Sequence, residues 1–249
     1  MNTEKTFGLI GLTVSHSFSK TYFEEKFFRE GLRDHTYQLF PLATIEEIET
    51  LFRETEGLSG LNVTLPYKES VIKFLDEIDP EAERIGAVNV IKVIDGKHIG
   101  YNTDAAAFTE TLKKWLPEKS KFKALILGTG GASKAVQEAL TNMKITFKTV
   151  SRSKENGDLT YDELNAKPEV LAKSHLIINT TPLGMHPSTE AMAPIDYTQL
   201  SADHYVYDLI YNPARTLFLQ KAEMRGAQIK NGLEMLQIQA EKSWEIWNQ

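Results

Sequence analysis

The chain has no cysteine among its 249 residues, which excludes disulfides, thiolate nucleophiles and cysteine-held metals and fits a reducing compartment. It also lacks an apolar run of membrane-spanning length, and the stretch from Met1 to Phe7 is too polar for a signal core, so a soluble, cytoplasmic protein is expected. Positive charge is in deficit: 28 Lys and Arg against 34 Asp and Glu give a net charge of −6, and no basic field points to nucleic acid or a membrane surface. The 6 histidines are scattered without close ligand spacing, so no metal is expected. No internal repeat and no low-complexity segment stands out. What remains is a globular chain, 41% hydrophobic, long enough for one large domain or two of ordinary size. Its expected partner is a small molecule, and any anionic ligand must be met by local groups.

Strand and helix patterns alternate, which favours an α/β fold with a parallel sheet. Thr6–Leu12 reads as a buried strand emptying into a polar loop, Thr13–Lys20, before a helix carrying Tyr22, Phe23, Phe27 and Phe28. Ser19 is the expected cap of that helix; the serines of the loop, with His16, either cap it or hold hydroxyl and carboxylate groups of a ligand. His35–Leu42 is a second strand, Thr44–Glu54 a helix opened by Thr44 and Glu47 in capping-box spacing, and Ser59–Thr64 a third strand. That strand runs into Leu65-Pro66-Tyr67-Lys68, where Thr64 suits a cap and Pro66 a first helical turn, with the helix expected through Val71, Phe74 and Leu75 to Pro80. Lys68, near a strand's carboxyl end, is either a solvated surface lysine or a functional one. Val88–Ile94 and a return strand through Ile99 flank Asp95-Gly96, a strong hairpin signal that brings Asn89 beside Gly100–Asp104. Asp104 opens a helix to Trp115, as a simple cap or as a functional carboxylate.

A second region begins at about Ser120. The strand Lys123–Leu127 is followed at once by Gly128-Thr129-Gly130-Gly131-Ala132-Ser133 and a helix with Ala135, Val136, Ala139 and Leu140. Strand, glycine turn and helix in that order let backbone N–H groups approach a pyrophosphate, although Ser133 stands where the fingerprint has its third glycine. The next strand, Ile145–Val150, ends in Ser151-Arg152-Ser153, roughly twenty residues on, where an acidic residue would hold the ribose of NAD. An arginine and two hydroxyls there favour the 2′-phosphate of NADP, unless the segment is only a solvated basic loop. His175–Asn179, Tyr205–Ile210 and Ala227–Lys230 read as further strands. After Asn231-Gly232 a long helix places Leu233, Leu236, Ala240, Trp244 and Trp247 in the core. Met235 and Gln239 share another stripe, Gln239 being either a buried structural amide or a ligand contact.

Taken in order, His16-Ser17-Phe18-Ser19, Asn62 to Lys68, Gly86 to Asn89, Asn102-Thr103-Asp104, Gly128 to Ser133, Tyr207 to Tyr211 and Asn231 to Gln239 make the chain resemble the shikimate dehydrogenase family over essentially its whole length. The resemblance implies two domains: an N-terminal α/β substrate-binding domain, residues 1–103 with 233–249, and a C-terminal Rossmann-type NADP-binding domain, residues 104–232, with the active site between them. It implies NADPH-dependent reversible reduction of 3-dehydroshikimate to shikimate, in chorismate and aromatic amino-acid biosynthesis, by a monomer or homodimer. Carried over by position, Ser17 and Ser19 match the pair that binds the substrate carboxylate, and Thr64, Asn89, Asp104, Tyr211 and Gln239 match its other substrate contacts. Lys68 matches the catalytic lysine, with Asp104 beside it. Gly128, Thr129, Gly130, Gly131 and Ala132 match the pyrophosphate turn, Ser151, Arg152 and Ser153 the phosphate clamp, and Leu209 and Gly232 the contacts near the nicotinamide. Lys20, Ala105 and Ser151 depart from the family pattern. Neighbouring readings are a quinate/shikimate dehydrogenase using NAD or both cofactors, and a non-catalytic ligand-sensing relative. Independently of the resemblance, ketone reduction creates an alkoxide that needs a proton donor within reach, a role that suits Lys68.

Overall fold

A computed structural model describes residues 4–15, 17–117 and 121–249; His16 and the expected region boundary at Ser120 lie outside them. The chain forms two compact units, one reaching Thr103 and taking in Ala240–Gln249, the other spanning Asp104–Gln239. Both are α/β, each built on a six-stranded sheet.

The first unit contains β1 (Lys5–Gly11), α1 (Phe18–Glu30), β2 (His35–Pro41), α2 (Ile48–Glu54), β3 (Leu58–Val63), β4 (Glu77–Ile78), α3 (Pro80–Ile85), β5 (Val90–Ile94) and β6 (Lys97–Tyr101). Its sheet runs β2-β1-β3-β5-β6-β4. β1 pairs in parallel with β2 and β3, as expected of the first three strands, and β5 is antiparallel to β6, as the hairpin signal implies; its antiparallel pairing with β3 makes the sheet mixed. The reason is local: the segment after β3 returns to the same sheet edge, and Asp95 (φ 51°) with Gly96 (φ 75°) then closes a tight hairpin of the type that matches strand twist. Alternation along β1 sends Phe7 and Leu9 into a core with Phe23, Phe27, Ala240 and Trp247, and Ile10 into the opposite one with Ile48, Leu51, Leu61 and Val63.

The second unit contains α4 (Asp104–Trp115), β7 (Lys123–Leu127), α5 (Gly131–Asn142), β8 (Thr146–Ser151), β9 (Leu159–Thr160), α6 (Tyr161–Asn165), α7 (Pro168–Ala172), β10 (Leu176–Asn179), β11 (Tyr205–Asp208), α8 (Leu217–Glu223), β12 (Gln228–Lys230) and most of α9 (Leu233–Trp247). The order β12-β11-β10-β7-β8-β9, parallel throughout, is the doubly wound Rossmann arrangement, with its topological switch between β7 and β10. Leu125 and Leu127 pack with α6, α7 and α8 on one face, Ala124 and Ile126 with α4, α5 and Met235 on the other. Among the described residues no helix is long and apolar enough to cross a membrane, and no group of His, Asp and Glu could hold a metal ion.

Four local expectations fail. Ser17, not Ser19, caps α1, its hydroxyl accepting the Ser19 N–H at 3.1 Å. Thr44 makes no side-chain cap; a 3₁₀ turn, Ile45–Glu47, precedes α2, and the Glu47 carboxylate accepts from Ala43 N–H instead. Residues after Lys68 form a 3₁₀ turn, Ser70–Phe74, in place of a long helix, because the Lys68 carbonyl is taken by Val88 N–H at 2.7 Å and is lost to helix propagation. Leu233 is 37% exposed rather than core, since Met235 on the other stripe fills the second unit's core.

Gly60 on β3 leaves the space that the Trp247 indole occupies, while Trp247 Nε1 donates to the Ile91 carbonyl at 2.9 Å. Gly60→Ala is therefore expected to lower stability by about 1–3 kcal/mol through overpacking, read as a lower urea midpoint at unchanged m-value.

Candidate active site

In the first unit the expected site residues converge on one edge of the sheet. β1 and β3 are parallel, so the loop after β1 and the turn after β3 leave from the same side. Thr64 N–H donates to the Ile10 carbonyl at 2.9 Å, and Leu12 N–H to the Leu65 carbonyl at 3.2 Å. Gly11 is needed there, since a Cβ would stand 2.5 Å from Thr64 Cγ2. Because β5 runs antiparallel to β3, its beginning meets the same edge: Val63 N–H donates to the Asn89 carbonyl at 2.8 Å, and Asn89 N–H to the Tyr101 carbonyl at 3.0 Å. Ser17 and Thr64 are half-buried there, Ser19 and Asn89 are buried, and half-buried Lys68 follows the turn.

The Asn89 side chain braces the edge. Its Nδ2 donates to Thr103 Oγ1 at 2.9 Å and its Oδ1 accepts Thr103 N–H at 2.7 Å, while Asn102 Nδ2 donates to the Ala87 carbonyl at 2.9 Å. These bonds fix the segment that leads into Asp104, which is 5% exposed and opens α4 as expected. Deeper in, Tyr37 donates to Asn62 Oδ1 at 2.8 Å, and Asn62 Nδ2 to Ser243 Oγ at 2.9 Å. Burial raises the Tyr37 pKa far above the ordinary tyrosine value, so this hydroxyl stays a donor. Tyr37 and Ser243 were not singled out from the sequence, and Thr103 only as a member of the Asn102-Thr103-Asp104 motif. Their signal is only a polar residue at an otherwise apolar position.

In the second unit, parallel pairing gathers Gly128–Ala132, Ser151–Ser153, Leu209, Tyr211 and Gly232 at or just beyond the carboxyl ends of the strands. Gly128, after β7, has φ 107°, a conformation side chains resist, and a Cβ would lie 2.7 Å from Thr180 Oγ1 and 2.8 Å from Thr181 Cγ2. Gly130 caps α5 with no side-chain bond, and a Cβ there would meet open space. The first turn of α5 holds no acidic residue, and Ser133 is buried as the small residue close packing requires. Such a turn, with no side chain capping the helix and open space beside Gly130, fits a pyrophosphate. Ser151 ends β8, buried, with its Oγ accepting Ser153 N–H at 3.2 Å; Arg152 is exposed, and Ser153 Oγ accepts from Asn156 Nδ2 at 2.9 Å. An exposed guanidinium with no acid at Ser151–Ser153 fits a 2′-phosphate.

Leu209 follows β11, and the close approach of Gly232 to its backbone leaves no room for a side chain. Tyr211 and Gln239 are half-buried, and Gln239 Nε2 donates to the Leu236 carbonyl of its own helix at 3.1 Å. Asn179 opens the turn expected to face the cofactor and Asp208 lies within the Tyr207–Tyr211 motif, but sequence reasoning gave neither a role of its own; they form a buried polar pair at the ends of β10 and β11, bonded at 3.0 Å.

Residues 9–91 match the family described as the shikimate dehydrogenase substrate binding domain. Among curated proteins, the NADP(+) shikimate dehydrogenase of Carboxydothermus hydrogenoformans is 40% identical over 263 residues, covering 98% of this chain and 91% of that protein. Among solved structures, shikimate dehydrogenase 1 of Peptoclostridium difficile aligns with a TM-score of 0.87 at 36% identity, over 98% of this chain and 91% of that chain. The Thermus thermophilus shikimate 5-dehydrogenase, solved with NADP(H) and shikimate, aligns with a TM-score of 0.83 at 30% identity, over 98% of this chain and 93% of that chain.

Gly128→Ala combines backbone strain of about 1–3 kcal/mol with the clash against Thr180, so dinucleotide affinity is expected to fall roughly tenfold or more. Fluorescence titration with NADPH checks this, and unchanged affinity in a folded variant would remove the turn from the binding site.

Proposed function

The chain belongs to the shikimate dehydrogenase family, and on that premise we propose which of its residues carry out the NADP-dependent interconversion of 3-dehydroshikimate and shikimate. It is an oxidoreductase of the shikimate pathway. The dinucleotide, when bound, supplies or accepts the hydride. The chain's own groups bind, orient and move the proton.

Lys68 is the proton donor to the forming alcohol and the acceptor in reverse, since an ammonium is the group best able to meet an alkoxide as it develops. Asp104 is the second catalytic group, a carboxylate that accepts from a ring hydroxyl of the substrate. Ser17 and Ser19 hold the substrate carboxylate, and Thr64, Asn89, Tyr211 and Gln239 bind its remaining polar groups. Gly128, Thr129, Gly130, Gly131 and Ala132 take the pyrophosphate, Ser151, Arg152 and Ser153 the 2′-phosphate, and Leu209 and Gly232 the nicotinamide end. The observation that carries this reading is the convergence of Ser17, Thr64, Asn89 and the turn bearing Lys68 on one edge of the first sheet. Residues 1–103 with 233–249 act as the substrate-binding part and 104–232 as the cofactor-binding part. An acidic chain without cysteine suits a cytoplasmic enzyme acting on small molecules as a monomer or homodimer.

The reading is tested by following NADPH and NADH oxidation with 3-dehydroshikimate and with 3-dehydroquinate; no turnover with either ketone would overturn it. Lys68→Ala is expected to lower kcat by about 10²- to 10⁴-fold with less effect on KM, and a full-rate variant would remove the lysine from catalysis. Arg152→Ala, which removes a charge-assisted phosphate contact worth about 1.5–3 kcal/mol, should raise KM for NADPH roughly 10- to 100-fold and leave KM for NADH nearly unchanged.

A further inference from the structure

Asp208 is a buried carboxylate that packing alone does not require. It ends β11 with no exposed surface. Its Oδ1 accepts from Asn179 Nδ2 at 3.0 Å and from Ile210 N–H at 3.1 Å, and its Oδ2 accepts from Thr216 Oγ1 at 2.5 Å. All three donors are neutral, and none of the described lysines, arginines or histidines pairs with it. Burial raises its pKa to about 6 against the opposing pull of those donors. The ionisable group facing it is Tyr197, whose own pKa is raised, chiefly by burial, so that phenol stays protonated through neutral pH. Near neutral pH the site therefore holds a buried anion with no cation, an arrangement that costs stability unless a partner arrives. An asparagine of the same shape would serve the geometry equally well, accepting from Asn179 and Ile210 and donating to Thr216.

The place of Asp208 in the sheet bears on which part of the dinucleotide it serves. In a doubly wound sheet each half binds one nucleotide across the switch point. The glycine turn follows β7 and Arg152 follows β8, so the adenosine side belongs to the half made of β7, β8 and β9. The half made of β10, β11 and β12 is left for the nicotinamide side, and Asp208 stands at the carboxyl end of its middle strand. The nicotinamide ring is the one part of the dinucleotide whose charge changes in the reaction, cationic when oxidised and neutral when reduced.

We propose that Asp208 discriminates between the oxidation states of the cofactor: as a buried anion at the end of β11 it favours the cationic, oxidised nicotinamide over the reduced one. This rests on the NADP reading above. Asp208 also braces the turn after β10, because Asn179 Oδ1 in turn accepts Thr181 N–H at 3.0 Å and Thr181 Oγ1 at 2.6 Å. Loss of that bracing would weaken both oxidation states alike, whereas loss of the charge changes their ratio.

The test is equilibrium titration of the full-length protein with NADP+ and with NADPH between pH 5 and pH 8, for wild type and Asp208→Asn. The 2′-phosphate ionises in both ligands, so its effect cancels in the ratio. As pH rises through the Asp208 pKa the carboxylate becomes charged, and the wild-type ratio Kd(NADPH)/Kd(NADP+) is expected to rise on the order of three- to tenfold, the size of a partly screened one-charge effect. The variant's ratio should stay flat near the wild-type value at pH 5. By reciprocity NADP+, but not NADPH, should lower the Asp208 carboxyl pKa read by ¹³C NMR, a measurement on wild type that stands even if the variant fails to fold. A flat wild-type ratio, an equal rise in Asp208→Asn, or an Asp208 pKa that both ligands move alike would overturn the proposal. Absence of any wild-type affinity for either dinucleotide would overturn the cofactor reading with it.

Discussion

Parallel pairing is the constraint from which the placing of each unit's candidate residues follows. Where β1 lies beside β3 in parallel, with Ile10 opposite Val63, the two connections must leave the sheet side by side, and the loop bearing Ser17 stands next to Thr64. Where β7 lies beside β10, with Leu127 opposite Asn179, Gly128 and Thr180 are forced together in the same way. The register is held by packing. Leu9 and Ile10 face different cores, so a slip of one residue would exchange the two faces along all of β1. Side chains of the cores thus decide which backbone ends meet, and the backbone ends decide where chemistry is possible.

Short-range signals were legible because their physics is short-range. Asp95-Gly96 needs left-handed backbone at both positions and has it; Gly128 needs a positive φ after a strand and has it; Asp104 begins α4 as a carboxylate at a helix N-terminus should. Long-range competition was not legible. Nothing in Thr64–Lys68 announces that Val88 will claim the Lys68 carbonyl and so end the expected helix. The choice between Ser17 and Ser19 as cap turns on two residues of register, below what a pattern resolves. α3 did carry its signals, Asp79 before Pro80 and a left-handed Gly86 after Ile85, but the apolar run from Val71 masked them. Of the candidate site, the motifs and their order along the chain could be read. What could not be read was which of them serve each other, as Asn89 serves Thr103.

The polar groups that hold the first unit's site edge are buried yet paired, which is the condition under which burial costs little. Tyr37, Asn62 and Ser243 form a connected run that ties the sheet to α9. Nearer the surface α1 and α9 are joined by Lys26, bonded to Glu241 at 2.7 Å and to Glu30 at 2.9 Å, with Tyr22 donating to the same Glu241. Burial alone would lower the Lys26 pKa, but the two carboxylates outweigh it and hold the pKa above the ordinary lysine value. Asp208 is the contrasting case. Its partners are neutral, its pKa moves in the direction burial dictates, and its folded-state carboxyl is raised, so its contribution to stability is greatest below the unfolded value of 3.8 and fades as pH rises through about 6. Burial opposes the charge in both units; at Lys26 two carboxylates offset it, and at Asp208 only neutral donors do.

That difference bears on how an acidic chain handles anions. With a net charge of −6, the protein has no long-range field to draw in a carboxylate or a phosphate. On the proposed reading the groups that meet anions are backbone N–H dipoles at the start of α5, hydroxyls of Ser17 and Ser19, and the single cations Lys68 and Arg152. Neutral donors held in place act only at contact, are weakly screened by salt, and cost little to leave solvated when no ligand is present. A cluster of cations would bind more strongly but would also bind any polyanion of similar size. On the proposed reading, a single positive charge where the phosphate is recognised and another where the proton is delivered assign charge to discrimination and leave attachment to geometry.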